Sequence, residues 1–306
     1  AWTETKSVAY PSVGLSAILT DLLPIRSDVL TFLKLRGSYS EVGNAPTRYI
    51  AYQTHPYQSG TPSTTSTYPN SDIKPERTKA WEVGLQSRFL GDKLALNVSL
   101  YKTSTFNQLF NPSLPSSSGY SSIYINGGQV DNKGIEASLS LSQALGPVEW
   151  NSTLTYTINR NKIKKLLKPT TLKDGLLVEQ DMLDLDGVGN VKTRLFEGGS
   201  VGDLYVTALR TDEHGYIDVD YVNNTVSVDG NAGERGDGWI YAGNSQAKYT
   251  MGWRNSFSWK GLTLGFLINA RVGGVCVSMT QALMDSYGTS KATADARDAG
   301  GVMING

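Results

Sequence analysis

Eight stretches of this chain set an apolar side chain at every second position, and that two-residue period constrains the fold more than any other feature. From Trp81, the residues Trp81, Val83, Leu85 and Phe89 fall on one face and Glu82, Gly84, Gln86 and Arg88 on the other. Leu94, Leu96, Val98 and Leu100 oppose Ala95, Asn97, Ser99 and Tyr101, and Ile135, Ala137, Leu139 and Leu141 oppose Glu136, Ser138, Ser140 and Ser142. Val148, Trp150, Leu154, Tyr156 and Ile158 oppose Glu149, Asn151, Thr153, Thr155 and Asn159. Residues 249–259 and 262–272 repeat the pattern, and residues 13–19 and 33–39 do so over shorter runs. Each stretch is a candidate strand with one apolar face, so the expected fold class is all-β.

Length separates these strands from those of a soluble sandwich. Most run about 11 to 14 residues, where globular strands average about 5 or 6. At roughly 3.3 Å per residue, about 12 residues reach about 40 Å, and a tilt near 40° leaves about 30 Å of height, the thickness of a bilayer. Tight turns at 90–93, 145–147 and 260–261 join strands in pairs, whereas long loops at 43–77, 105–131, 162–246 and 274–306 follow the pairs. Short turns at one rim and long loops at the other are the organisation of an outer-membrane barrel.

The opposite face carries Ser, Thr, Asn, Glu, Arg and Gly, which a small barrel or sandwich would need as apolar core. Such a face requires water or a hydrophilic plug in a wide lumen, which eight strands cannot enclose. The expected architecture is therefore a partial arc of a large antiparallel transmembrane β-barrel, with residues 1–306 as a fragment of one barrel domain. Phe89, Trp150, Tyr249 and Trp259, near strand ends, suit interfacial girdles. The chain lacks a start Met and an N-terminal signal sequence, and is expected to be an internal piece of a longer protein.

Composition narrows the function classes. Lys plus Arg (28) balances Asp plus Glu (28), which leaves no basic footprint for nucleic acid. A single thiol, Cys276, excludes an internal disulfide framework, and His55 and His214 alone cannot build a three-His zinc site. No cofactor is expected.

Residues 32–39 (FLKLRGSY) precede Val42-Gly43-Asn44, and Lys74-Pro75-Glu76-Arg77 runs into Trp81-Glu82-Val83-Gly84-Leu85. Asn126-Gly127-Gly128, Asn132-Lys133-Gly134-Ile135-Glu136, Gly202-Asp203-Leu204-Tyr205 and Arg271-Val272-Gly273-Gly274 follow in that order. Together and in this order, these segments resemble the barrel of SusC-like (RagA-like) TonB-dependent outer-membrane transporters. Ala247 stands where relatives often carry proline. The resemblance implies a plugged barrel of about 22 strands in the outer membrane of a Gram-negative bacterium, importing glycans or peptides. It also implies TonB acting through a plug region outside this sequence, and a SusD-like surface lipoprotein as cap. The alternative is a soluble extracellular all-β glycan-binding or adhesin module, which would bury the Trp253, Phe257 and Trp259 face between sheets.

Loop aromatics are the candidate substrate-binding residues: Tyr49, Tyr52, Tyr57 and Tyr68 in one loop, Tyr120 and Tyr124 in the next, Trp239 and Tyr241 in the longest. Their rings suit stacking on sugars or peptide side chains, and equally suit packing of the loops. Gly198-Gly199-Ser200-Val201-Gly202 matches a nucleophile elbow, but a strand-like segment follows where a helix is required. His214, beside Asp212 and Glu213, reads as a hairpin turn, so no catalytic residue is expected. The acidic turns around Asp184, Asp186, Asp229 and Asp237 lack the full ligand run of a calcium loop and read as turn chemistry. Residues 278–287 read as a helix in an extracellular loop, placed to serve a cap interface. Two Asn-X-Ser/Thr matches, at Asn97 and Asn151, fall within strands and are set aside.

Overall fold

Eight strands hydrogen-bond into one antiparallel sheet in the computed structural model, which describes residues 8–301 apart from 26, 53–56, 63–65, 115, 172–174, 176, 186 and 188. They are β1 (Ser12–Ile18), β2 (Leu30–Asn44), β3 (Glu76–Phe89), β4 (Leu94–Phe110), β5 (Ile125–Leu145), β6 (Val148–Lys165), β7 (Tyr249–Trp259) and β8 (Leu262–Val272). Each pairs only with its neighbours in this order, so the sheet is an up-and-down meander with β1 and β8 at its edges. Ala1 to residue 7, His55, Asp186 and residues 302–306 lie outside the described residues.

Register puts every alternating row on one side. Leu35, Leu85, Val98, Ala137, Tyr156 and Met251 stand opposite one another across β2 to β7, and Val83, Leu100, Ile135 and Ile158 form the next row. The other face reads Arg36, Gly84, Ser99, Glu136, Thr157 and Thr250 across the same strands. The apolar side is not a core. Leu15, Leu264 and Leu262 keep 80%, 70% and 69% of their surface exposed, and Trp253 and Trp259 remain 42% and 46% exposed. That exposure removes the ground for a soluble sandwich with those tryptophans buried between sheets.

Central strands run further than the alternation indicates. β4, β5 and β6 span 17, 21 and 18 residues, and rungs such as Thr105 to Val130 and Phe106 to Gln129 continue the ladder into residues expected to be loop. Polar and apolar residues mix on these rungs, so they leave no amphipathic period to read. Outward polar groups lower in the sheet are covered instead: the Trp150 indole donates to Asn255 Oδ1 at 3.0 Å and the Trp253 indole to Ser152 Oγ at 3.0 Å.

The chain packs as two compact units. The first holds the sheet and comprises residues up to 183, 195–201 and 247–273; the second comprises 184–194, 202–246 and 274–306. Buried apolar residues of the first unit sit toward the long-loop rim, in clusters of Leu114, Ile123, Ile125, Leu167 and Val178, and of Val130, Ile163, Leu166 and Leu195. In the second unit the strand Asp203–Thr207 pairs with Trp239–Asn244 and with residues 191–193. Helices follow at Met279–Ser286, capped by Ser278, and Lys291–Asp298, capped by Ser290; the first is the helix expected within residues 278–287.

Candidate functional site

The polar face is organised by side chains that cross several strands. Arg36, Gly84 and Ser99 share a row on β2, β3 and β4. Gly84 lacks the side chain that would collide with the Arg36 chain, so the guanidinium lies flat across it. There it donates to Ser99 Oγ at 2.6 Å and to Glu82 Oε1 at 3.0 Å. On the next strands Ser140 and Thr153 hydroxyls meet at 3.1 Å, and the Asn132 amide oxygen accepts from Asn161 at 2.9 Å. Between Arg36, Ser99, Glu136 and Thr157 the wall holds a shallow recess of about 280 Å³. Such a surface offers hydrogen bonds in both senses and charges of both signs to whatever fills the space against it.

The loop aromatics divide by burial. Tyr57 is 75% exposed on the tip hairpin Tyr57–Gln58 and Thr61–Pro62, and Tyr49, Tyr52 and Tyr241 each expose more than half their surface. Tyr68 and Tyr120 instead pack edge to face at 5.2 Å against the Ile123 cluster, and half-buried Tyr124 uses its carbonyl to accept from Asn70. In the second unit, Trp239 lies under Lys192, whose Nζ stands 3.9 Å from the ring, and Tyr241 meets Tyr205 edge-on at 5.6 Å. Packing thus claims Tyr68, Tyr120 and Trp239.

A cluster with no local signature in the sequence pins this second unit. Arg194 is 4% exposed and donates to Asp184 at 2.8 Å and to Asp237 at 2.6 Å, with Tyr205 and Trp239 near its guanidinium. Its bond to Asp237 holds that carboxyl below the usual carboxylate range. Burial acts to raise Asp184, but hydrogen bonds from Arg194 and Lys192 outweigh it and leave that carboxyl lowered as well. Both carboxylates are therefore committed to cationic side chains, and Asp229 accepts from the Asn231 amide in a local turn. The acidic turns accordingly serve protein partners at every described position. Ser200 donates to Asn161 Oδ1 at 3.3 Å, and the segment after it is the strand Asp203–Thr207, so the strand, turn and helix of a nucleophile elbow is not the local structure. Asp212 Oδ1 accepts the His214 and Tyr216 amides, the expected turn.

A model of the family described as TonB dependent receptor-like, beta-barrel, matches residues 1–269. The chain belongs to that family. TonB-dependent receptor P3 of Formosa agariphila is 27% identical over 297 residues, covering 88% of this chain and 28% of the relative. TonB-dependent receptor P26 of the same organism is 25% identical over 295 residues, with the same coverage. The solved structure of the RagAB peptide importer in the open-open state superposes with a TM-score of 0.67 at 22% identity, over 89% of this chain and 29% of that one. A second, of the RagAB peptide transporter, gives 0.65 at 23% identity, over 86% and 29%. The chain spans less than a third of the length of these relatives. Family and fold make the eight-stranded sheet an arc of a large transmembrane barrel, as the resemblance to SusC-like transporters implies. Its apolar face is then the lipid side and its polar face the lumen. The Tyr39–Trp81 pair (4.4 Å) and the Tyr156–Tyr249 pair (5.5 Å) lie toward the long-loop rim, and the Trp150–Phe257 stack (6.1 Å) toward the short turns. Aromatics at both levels are the girdles of such a barrel.

Proposed function

We propose that this chain is part of the wall and loop crown of an outer-membrane importer that takes up large nutrients, peptides or glycans, with energy delivered by TonB. The observation that carries this reading is the continuous pairing of eight strands, whose register shifts only near strand ends, with a greasy face exposed outward and a hydrogen-bonding face inward. A polar lumen wall suits a hydrophilic plug, and TonB acts on such a receptor through that plug region. The resemblance to SusC-like transporters adds a SusD-like surface lipoprotein as cap, and the RagAB relatives are named for peptide import. The rings of Tyr49, Tyr52, Tyr57 and Tyr241, each more than half exposed, are the surfaces we assign to cargo, because an exposed aromatic face stacks on sugars and on peptide side chains alike. Helix Met279–Ser286 is the segment we assign to the cap. The outer membrane of a Gram-negative bacterium is the compartment that fits both faces.

Uptake by the full-length receptor tests this. Fluorescent oligopeptides and oligosaccharides are expected to enter cells only where the receptor and TonB are both present, and Tyr57→Ala with Tyr241→Ala is expected to weaken cargo binding several-fold. Uptake at the same rate without TonB contradicts the proposal.

A further inference from the structure

Where the apolar band ends, a row of like charges crosses the outward face. Register sets Tyr39, Trp81, Lys102, Lys133 and Arg160 opposite one another on β2 to β6. Two residues lower, the same strands carry Gly37, Val83, Leu100, Ile135 and Ile158, so the cations sit about 7 Å beyond the last greasy row. Like charges directly opposite one another destabilise a sheet. Neighbouring carboxylates relieve this row only at Lys102, which pairs with Asp131 at 3.8 Å. Glu41 is held by Arg77 and by Lys79 at 3.6 Å. Among the described residues, no carboxylate pairs with Lys133 or Arg160, and one rung above the row register sets Asp131 opposite Lys162. Arg160 Nη1 donates to the Lys248 carbonyl at 2.8 Å and to the Asn159 carbonyl at 3.4 Å, and Arg160 and Lys133 are exposed.

We propose that Lys102, Lys133 and Arg160 bind the phosphate of a phosphorylated glycolipid in the leaflet around the long-loop rim. A phosphate set between three cations on adjacent strands replaces their mutual repulsion with charge-assisted hydrogen bonds, for which a guanidinium offers a bidentate fork. The height of the row selects a lipid over a free anion: acyl chains then run down along Leu100, Ile135 and Ile158, and Trp81 flanks the headgroup at the interface. The inference rests on the outer-membrane reading above.

The test is native mass spectrometry of the detergent-solubilised full-length receptor with bisphosphorylated lipid A, with its dephosphorylated form, and with inorganic phosphate as competitor. The receptor is expected to bind bisphosphorylated lipid A about tenfold more tightly than the dephosphorylated form, equivalent to about 1.4 kcal/mol. The K102Q/K133Q/R160Q variant is expected to lose that preference, and K102R/K133R to keep it. Equal binding by the receptor and the triple Gln variant, loss in the Arg variant, or displacement by inorganic phosphate at equal concentration overturns the inference. A receptor recovered without detergent in the soluble fraction sinks the membrane reading itself, a separate outcome.

Discussion

Two glycines show how single residues shape the wall, and how differently they tolerate change. A Cβ on Gly134 would collide with the Ile158 carbonyl and with the Tyr101 ring folded over it, so backbone itself obstructs a side chain there. A Cβ on Gly84 would meet only the Arg36 side chain, which can swing away. Gly134→Val is therefore expected to destabilise by about 1–3 kcal/mol, the usual cost of overpacking. Gly84→Ala is expected to lose little more than an exposed ion pair, up to about 1 kcal/mol; comparing the two thermal midpoints checks this. Arg194 gives a pH dependence at the same scale. Because Asp237 is held below its ordinary value, its contribution is present above the unfolded carboxylate value of about 3.9 and is lost as pH falls through the lower folded value. Amide protection factors in 203–207 and 239–244 are expected to fall once pH drops below the ordinary carboxylate value of about 3.9, and in Arg194→Met to be low already at neutral pH. Identical profiles for the two proteins contradict the pinning role.

At the scale of the strand, the consequence of alternation is that adjacent residues meet different solvents. Leu139 faces outward in the middle of the apolar band and Ser138 faces the lumen. Leu139→Arg is expected to cost about 2–4 kcal/mol in folding into bilayers, and Ser138→Arg far less; reversible unfolding in lipid vesicles measures both. The same alternation made the strands legible. It located all eight, their pairing by short turns and the side each row occupies, because the lipid face admits few exceptions. It failed where its cause fails: above Trp81, Lys102 and Lys133 apolar residues such as Phe106 and Val130 are interspersed with polar ones without a two-residue period, so strand and loop look alike in sequence. Asn255 and Ser152 break the pattern on the outward face, where the oxygen of each accepts from an indole N–H, a pairing across strands that no local window reveals.

For the whole molecule, the decisive property is that the sheet leaves its apolar face uncovered and its edge strands β1 and β8 with one neighbour each. The chain expressed alone in water is expected to aggregate, since it presents open edges and a greasy surface together. Sequence exposed this architecture because medium and length act on every strand at once. The site was less legible. Aromatic type marked Tyr57 and Tyr68 alike, yet one stands on an exposed hairpin while the other packs on Tyr120. The Arg194 cluster and the Lys102, Lys133 and Arg160 row depend on which distant residues register brings together. The most direct test of the central claim is a nitroxide scan of the full-length receptor in bilayers, with Cys276 replaced and single labels at Asn97, Val98, Ser138, Leu139, Leu154 and Thr155. Labels at Val98, Leu139 and Leu154 are expected to collide with dissolved oxygen, and those at Asn97, Ser138 and Thr155 with a water-soluble nickel chelate. The same collision profile at odd and even positions would contradict a wall with lipid on one side and a wet lumen on the other.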